Sequence, residues 1–217
     1  MVAKTYGGAV HGVDARTIMV EVNVGQGLRF YMSGLPDSAV KESQHRVESA
    51  IKSADFFMPR NKTVVNLAPA DIRKEGSAYD LGIALCILKA SSQITTERLE
   101  DFIIMGELTL DGTLRPIKRV LPIAIQAKRE NYKGFILPAD NAKDAAIVDG
   151  LQVYPVYSLW QAVNFLVGNI TIDSIHVDAQ EVFATRLNHY DTDFKDVQGQ
   201  ENIKRALEIA AAGGHNV

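Results

Sequence analysis

Lys74-Glu75-Gly76-Ser77-Ala78-Tyr79-Asp80-Leu81-Gly82-Ile83-Ala84-Leu85-Cys86-Ile87-Leu88 is the stretch that decides the fold. It reads as a loop feeding a helix. Gly76 supplies backbone freedom at the turn. Ser77 or Asp80 is placed to cap the helix start by accepting a backbone N–H. Leu81, Ala84, Leu85 and Leu88 recur at helical spacing. The remaining faces are nearly as apolar, so the helix is expected at the centre of the core.

Before this helix, Lys4–Val10, Arg16–Val24 and Leu28–Met32 read as strands. Ile18, Val20, Val22 and Val24 alternate with Met19, Glu21 and Asn23, which gives one apolar face. Gly25-Gln26-Gly27 marks a turn, so a three-stranded β-meander is expected. Pro36, Asp37 and Ser38 open a helix striped by Val40, Val47, Ala50, Ile51 and Ala54. Its charged residues, Arg46 among them, are assigned to water. Lys62–Ala68 is a further strand.

After the central helix, Phe102–Leu110 and Thr113–Ile117 are expected to pair as a hairpin around Asp111-Gly112. A helix over Lys118–Glu130, a strand over Gly134–Pro138, a short helix over Ala139–Val148 and a strand over Leu151–Val156 follow. Ser158 caps a last helix that Gly168-Asn169 stops. The order β-β-β-α-β-α-β-β-α-β-α-β-α predicts an α+β or α/β two-layer domain over residues 1–168. Residues 169–190 read as a linker, and residues 191–217 start something new.

With 217 residues, 47% hydrophobic and 23% charged, the chain has the composition of a soluble globular protein. The net charge of −3 announces no global basic field. The single cysteine, Cys86, lies in the apolar helix, so no disulfide framework is expected and a reducing compartment fits. Met1–Val10 holds no signal-peptide core, and the run Leu81–Leu88 is far shorter than a membrane span. A cytoplasmic protein without membrane partners is expected.

The Lys-Glu-Gly-Ser opening and the hairpin Met105–Ile117 resemble the proteolytic domain of Lon proteases. That likeness implies a ribosomal-protein-S5-domain-2-like fold. The Lon family runs Lys-Asp-Gly-Pro-Ser-Ala-Gly here, with a catalytic serine, and places a lysine four residues after Pro-Ile of the hairpin. Those positions fall on Ala78 and Leu121. Alanine is no nucleophile and leucine no base, so no catalytic residue and no peptidase activity are expected. Ser77, with Lys74 or Lys118 as a base, is the alternative, and it reads more simply as a cap beside solvated lysines.

Phe194-Lys195-Asp196-Val197-Gln198-Gly199-Gln200 precedes a helix striped by Ile203, Ala206, Leu207, Ala210 and Ala211. With Lys204-Arg205-Ala206-Leu207 and Gly213-Gly214-His215-Asn216, this tail is similar to the entry of the AAA+ module in magnesium-chelatase-like proteins, most of all the YifB/ComM group. In that group an apolar strand and a Gly-rich phosphate loop come next. No Gly-x-x-x-x-Gly-Lys-Ser/Thr occurs in this sequence. The expectation is a piece of a longer ATPase, cut short before the Walker A loop, that does not itself hydrolyse ATP. ATP and Mg2+ are expected for the longer protein only. The resemblance places Val197, Gln198 and Gly199 against adenine; by themselves they read as a solvent-exposed tail.

His11, His45, His176, His189 and His215 are scattered, and Asp191, Asp193 and Asp196 lack the calcium-loop pattern, so no metal site is expected. Nucleic acid is the stronger candidate. Arg115, Lys118 and Arg119 cluster after the hairpin, and Arg73-Lys74 precede the central helix. Folding that brings them together would make a phosphate-binding patch. The resemblance implies a role in DNA branch migration during natural transformation, on single-stranded or branched DNA. It also implies a ring-shaped homo-oligomer. No aromatic ladder interleaves these cations in the sequence, which leaves a pure assembly scaffold as the other reading.

Overall fold

The computed structural model describes residues 1–12, 14–177 and 194–215. The chain divides into two compact units, Met1–Val177 and Asp178–Val217, the second described from Phe194 to His215.

The first unit is built on a seven-stranded sheet of β1 (Val2–His11), β2 (Asp14–Gly25), β3 (Phe30–Ser33), β4 (Lys62–Ala68), β5 (Phe102–Ile104), β8 (Gly134–Pro138) and β9 (Val153–Val156). The strand order is β3-β4-β2-β1-β5-β8-β9. β1 and β2 form a long antiparallel hairpin, from Val2 opposite Asn23 to His11 opposite Asp14. β4 is antiparallel to β2, and the remaining neighbours are parallel. The fold is therefore mixed α/β with a mainly parallel sheet, and its element order follows the sequence reading except that three short strands, not two, lie between the second and third helices.

One pairing differs from that reading. β3 does not complete a meander on β2; β4 lies between them. β4 buries Thr63, Val65 and Leu67 in alternation, whereas β3 has no fully buried residue. The strand with more apolar surface takes the inner place, and the short, half-wet strand takes the edge.

Helix α1 (Ser38–Ser53) starts at Asp37, whose Oδ1 accepts the Val40 N–H at 2.8 Å. Helix α2 (Asp80–Ala90) has all of its residues buried. Leu81, Ile83, Leu85, Ile87 and Leu88 are fully enclosed, and each contributes about 2 kcal/mol through burial. Neither anticipated cap operates on α2: Tyr79 occupies the cap position without a side-chain bond, and Asp80 and Ser77 are engaged elsewhere.

Successive residues of a strand point to opposite faces. On β1, Gly7 faces Tyr79 and Met105, on the side of α2, while Gly8 faces Ile123 of α3 (Val120–Arg129). A Cβ on Gly8 would lie 2.7 Å from Ile123 Cγ2, so the missing side chain lets α3 close on the sheet. β8, covered on both sides, is buried at every residue.

The hairpin around Asp111-Gly112 is present but short. β6 (Glu107–Leu108) pairs with β7 (Leu114–Arg115), and Phe102–Ile104 belongs to the main sheet instead. Asp111 accepts from the Thr109 and Thr113 hydroxyls and from the Thr113 N–H, which holds its carboxyl down at about 2. Helices α4 (Ala142–Ala146) and α5 (Leu159–Val167) complete the unit; the Ser158 hydroxyl accepts the Gln161 N–H and Gly168 ends α5 in the left-handed region.

Part of the stretch read as a linker packs on the first unit. Ile170, Ile172, Ile175 and Val177 pack on the core, and the Ile175 N–H bonds the Val153 carbonyl at 2.9 Å. The rest of that stretch, with His189, Asp191 and Asp193, lies outside the described residues. In the second unit a 3-10 turn, Phe194–Asp196, precedes helix α6 (Glu201–Gly213). No helix among the described residues is long and apolar enough to cross a membrane.

Candidate functional site

The carboxyl ends of β1, β4 and β5 point the same way, because each is parallel to the next through β2 or directly. The loops that leave these ends wall a cleft of about 1040 Å³. Such openings are where α/β sheets place ligands. Its floor is apolar, with Ala78, Met105, Ile117 and Ile123. Asn141 holds one wall: its side chain accepts the Ile117 N–H at 2.7 Å and donates to the Ile117 carbonyl at 3.0 Å.

The loop from Arg73 to Tyr79 is pinned from several directions. The Lys74 N–H bonds the Leu35 carbonyl, the Lys74 carbonyl accepts from Asp37 N–H, and the Gly76 N–H reaches Asp37 Oδ2 at 3.1 Å. One aspartate thus caps α1 and anchors the loop. The Ala78 carbonyl accepts the Gly106 N–H at 2.8 Å, and the Tyr79 hydroxyl donates to the Gly8 carbonyl at 3.0 Å. Burial pushes the Tyr79 phenol pKa up, so it stays a donor.

The cations anticipated from the sequence divide. Arg73, Lys118 and Arg119 line the cleft together, although more than forty residues separate the first from the others. Arg16, which the sequence did not single out, joins them from β2. Arg115 stands on β7, exposed, 3.9 Å from Glu107. Lys74 is a correction: its side chain is buried and its ammonium donates to the Pro69 carbonyl. Burial lowers its pKa, against the opposing pull of Asp71. Its ammonium is turned inward to Pro69, away from the ligand side.

The cleft is not uniformly basic. Asp14, Asp71, Glu75 and Glu107 also line it. Glu75 stands 3.5 Å from Arg73, and Glu107 accepts from Ser77 as well as pairing with Arg115. Lys118 and Arg119 have no carboxylate partner among the described residues. Like Arg16, which is also unpaired among the described residues, they are open to an incoming anion.

The Ser77 hydroxyl donates to the Glu107 carboxylate rather than to a lysine amine, and the ammonium of Lys74 is turned to Pro69. Ala78 lines the cleft, and Leu121 is exposed on α3. Beneath the loop lies a further polar group that the sequence assigned to water. Arg46 donates to both Asp80 oxygens, at 2.6 and 3.1 Å, and the Leu108 N–H approaches Asp80 Oδ2 at 3.3 Å. This junction ties α1, α2 and β6 together below the cleft.

In the second unit, Val197, Gln198 and Gly199 are exposed, between the Phe194–Asp196 turn and the start of α6. Gly199 and Gln200 both have positive φ, and the Gln200 carbonyl accepts the Ile203 and Lys204 N–H groups at 3.0 Å. Among the described residues no group of His, Cys, Asp and Glu is arranged to hold a metal.

Comparison with known proteins places these features. Competence protein ComM of Haemophilus influenzae is 38% identical over 99% of the chain and 42% of its own length. Protein YifB of Escherichia coli, whose function is uncharacterised, is 39% identical over 96% of the chain and 40% of its own length. DNA repair protein RadA of Aquifex aeolicus is 30% identical over 53% of the chain and 24% of its own length. The chain thus spans about two fifths of the length of the ComM and YifB relatives. The family model for magnesium chelatase, subunit ChlI, matches residues 193–217. A second model, described as subunit ChlI of Mg-chelatase, matches residues 20–141, more than half of the sequence, and the chain belongs to that family.

Proposed function

We propose that this chain is the front portion of a ComM-type AAA+ ATPase and that its first unit handles DNA without peptidase chemistry. The observation that carries the reading is the convergence of Arg16, Arg73, Lys118 and Arg119 on one cleft, with the last two free of carboxylate partners among the described residues. The likenesses to a competence protein and to a DNA repair protein support it. In the longer protein, ATP and Mg2+ power remodelling or branch migration of DNA, Val197–Gly199 lie on the adenine side, and the subunits form a ring.

Fluorescence anisotropy of the 217-residue chain with labelled single-stranded and forked DNA tests this. Three or four phosphate contacts give a log–log salt slope of roughly −2 to −3. Lys118→Glu with Arg119→Glu is expected to weaken binding at least ~10-fold and leave oligomer size alone. Absence of binding at low salt by folded protein, or collapse of an oligomer in the double variant, overturns the DNA reading in favour of assembly.

The same reading expects no reaction of Ser77 with a fluorophosphonate probe. Its hydroxyl proton is directed at a carboxylate that also pairs with Arg115, and among the described residues no amine is bonded to it. Mass-spectrometric detection of a Ser77 adduct would sink that part.

A further inference from the structure

Of the exposed aromatic side chains of the first unit, Tyr31, Phe57, Tyr157 and Trp160, the last two stand close together in the sequence. Tyr157 is 67% exposed and Trp160 is 53% exposed. They flank Ser158, the residue that caps α5. The sequence gives no reason to associate them with the cations near residue 115, some forty positions away.

The fold makes that association. The Leu114 N–H bonds the Tyr157 carbonyl at 2.9 Å, the Leu159 N–H bonds the Gly112 carbonyl at 2.9 Å, and Thr113 pairs with Ser158 in an antiparallel bridge. The start of α5 therefore runs beside β7 as a third strand would. Arg115 stands one residue along from the partner of Tyr157, and Lys118 and Arg119 continue from there towards the cleft.

Nearby acids are already engaged. Asp111 takes donors from Thr109 and Thr113, and Glu107 takes Ser77 and Arg115. Asp111 stays ionised at the turn, and farther along Lys118 and Arg119 carry charge that no carboxylate pairs among the described residues. Both aromatics are also held from behind: the Gln161 side chain accepts the Tyr157 N–H at 2.8 Å, and the Trp160 carbonyl accepts from Asn164 at 2.9 Å. Their backbones are fixed while their rings stay in solvent.

We propose that Tyr157 and Trp160 form a base-stacking platform for single-stranded nucleic acid, whose backbone then follows Arg115, Lys118 and Arg119 to the cleft. Exposed aromatic faces beside a basic track are the recurring means of gripping unpaired bases, because every base offers a π-face and paired bases do not. This inference rests on the DNA reading above and narrows it to single strands.

Trp160 is the chain's single tryptophan, so its fluorescence reports the site directly. The 217-residue protein would be titrated with oligothymidylate and with a blunt duplex of equal length, and intrinsic fluorescence followed beside the anisotropy of the labelled oligomer. The expected result is quenching by the single strand that tracks the anisotropy, with little quenching by duplex. Tyr157→Ala and Trp160→Ala are each expected to weaken single-strand binding about 10-fold, and Trp160→Phe to restore most of it. Anisotropy that rises without quenching, with the alanine variants unaffected, overturns the platform and leaves DNA binding standing. Absence of any binding overturns both. Loss of an oligomer in the alanine variants, seen by sedimentation, overturns the platform and makes the patch a protein interface.

Discussion

Replacing Arg46 by alanine is expected to destabilise the first unit by about 3–5 kcal/mol, because it strands the buried Asp80 carboxylate. Asp80 is almost fully enclosed, and Arg46 donates to both of its oxygens. The Asp80 pKa is raised to about 6: burial pushes it up, with the Glu107 charge adding to that, while Arg46 and the Leu108 N–H pull the other way. The Arg46 guanidinium is held protonated, chiefly by its bond to Asp80. The desolvation of the acid therefore outweighs what its partners return.

The sign of the pH dependence follows. The folded-state pKa of Asp80 lies above the ordinary carboxyl value of 3.8, so between about pH 4 and 6 the folded state holds more protons than the unfolded state. This group's contribution to stability falls as pH rises through that window and is least favourable above it. Arg46→Ala removes the largest influence that lowers the pKa and leaves the Leu108 N–H, so the carboxyl stays protonated to higher pH in the variant. The deficit is expected to be largest at pH 8 and to shrink towards pH 4. Urea denaturation of both proteins across that range measures it; a deficit that does not change with pH would show that the loss is one of packing rather than of charge.

Gly34→Ala is expected to cost a comparable amount, about 4 kcal/mol. Gly34 follows β3 with φ of +97°, in a region where L side chains are strained by roughly 1–3 kcal/mol. An added Cβ would lie 2.0 Å from the Leu67 carbonyl oxygen and 2.7 Å from its carbon. Those atoms are backbone of β4, a strand paired on both sides, so they do not swing away as a side chain would. Displacing them adds roughly 1–3 kcal/mol. Thermal unfolding by circular dichroism reads the result, and a melting temperature within a degree of the parent would show that β3 and its turn move as a unit.

Much of this architecture is legible without coordinates. The apolar surround of Leu81–Leu88 marks a helix with no wet face, and all of α2 is buried. Asp37 and Ser158 read as caps and act as caps. Asp111-Gly112 reads as a turn and is one. These features depend on neighbours within a few residues, where side-chain spacing and backbone preference act directly. The hairpin is shorter than its apolar pattern suggests, because residues 102–104 suit a parallel central strand as well as a hairpin arm.

Other features had no local signature. β3 and β4 pair across α1, and alternation within each strand does not name its partner. Arg46 and Lys74 carry the same formal charge as any surface residue. One is drawn inward by an acid thirty-four positions away, and the other is buried with its ammonium on Pro69.

The sequence by itself determined the central helix, most of the element order and the family. Tertiary structure alone decided which cations share a cleft, which charges are spent on internal partners, and which aromatics stand beside β7. The physical reason is range. Helix and turn signals are written in contacts a few residues apart, whereas a site for a ligand is assembled from strand ends that only the closed sheet brings together.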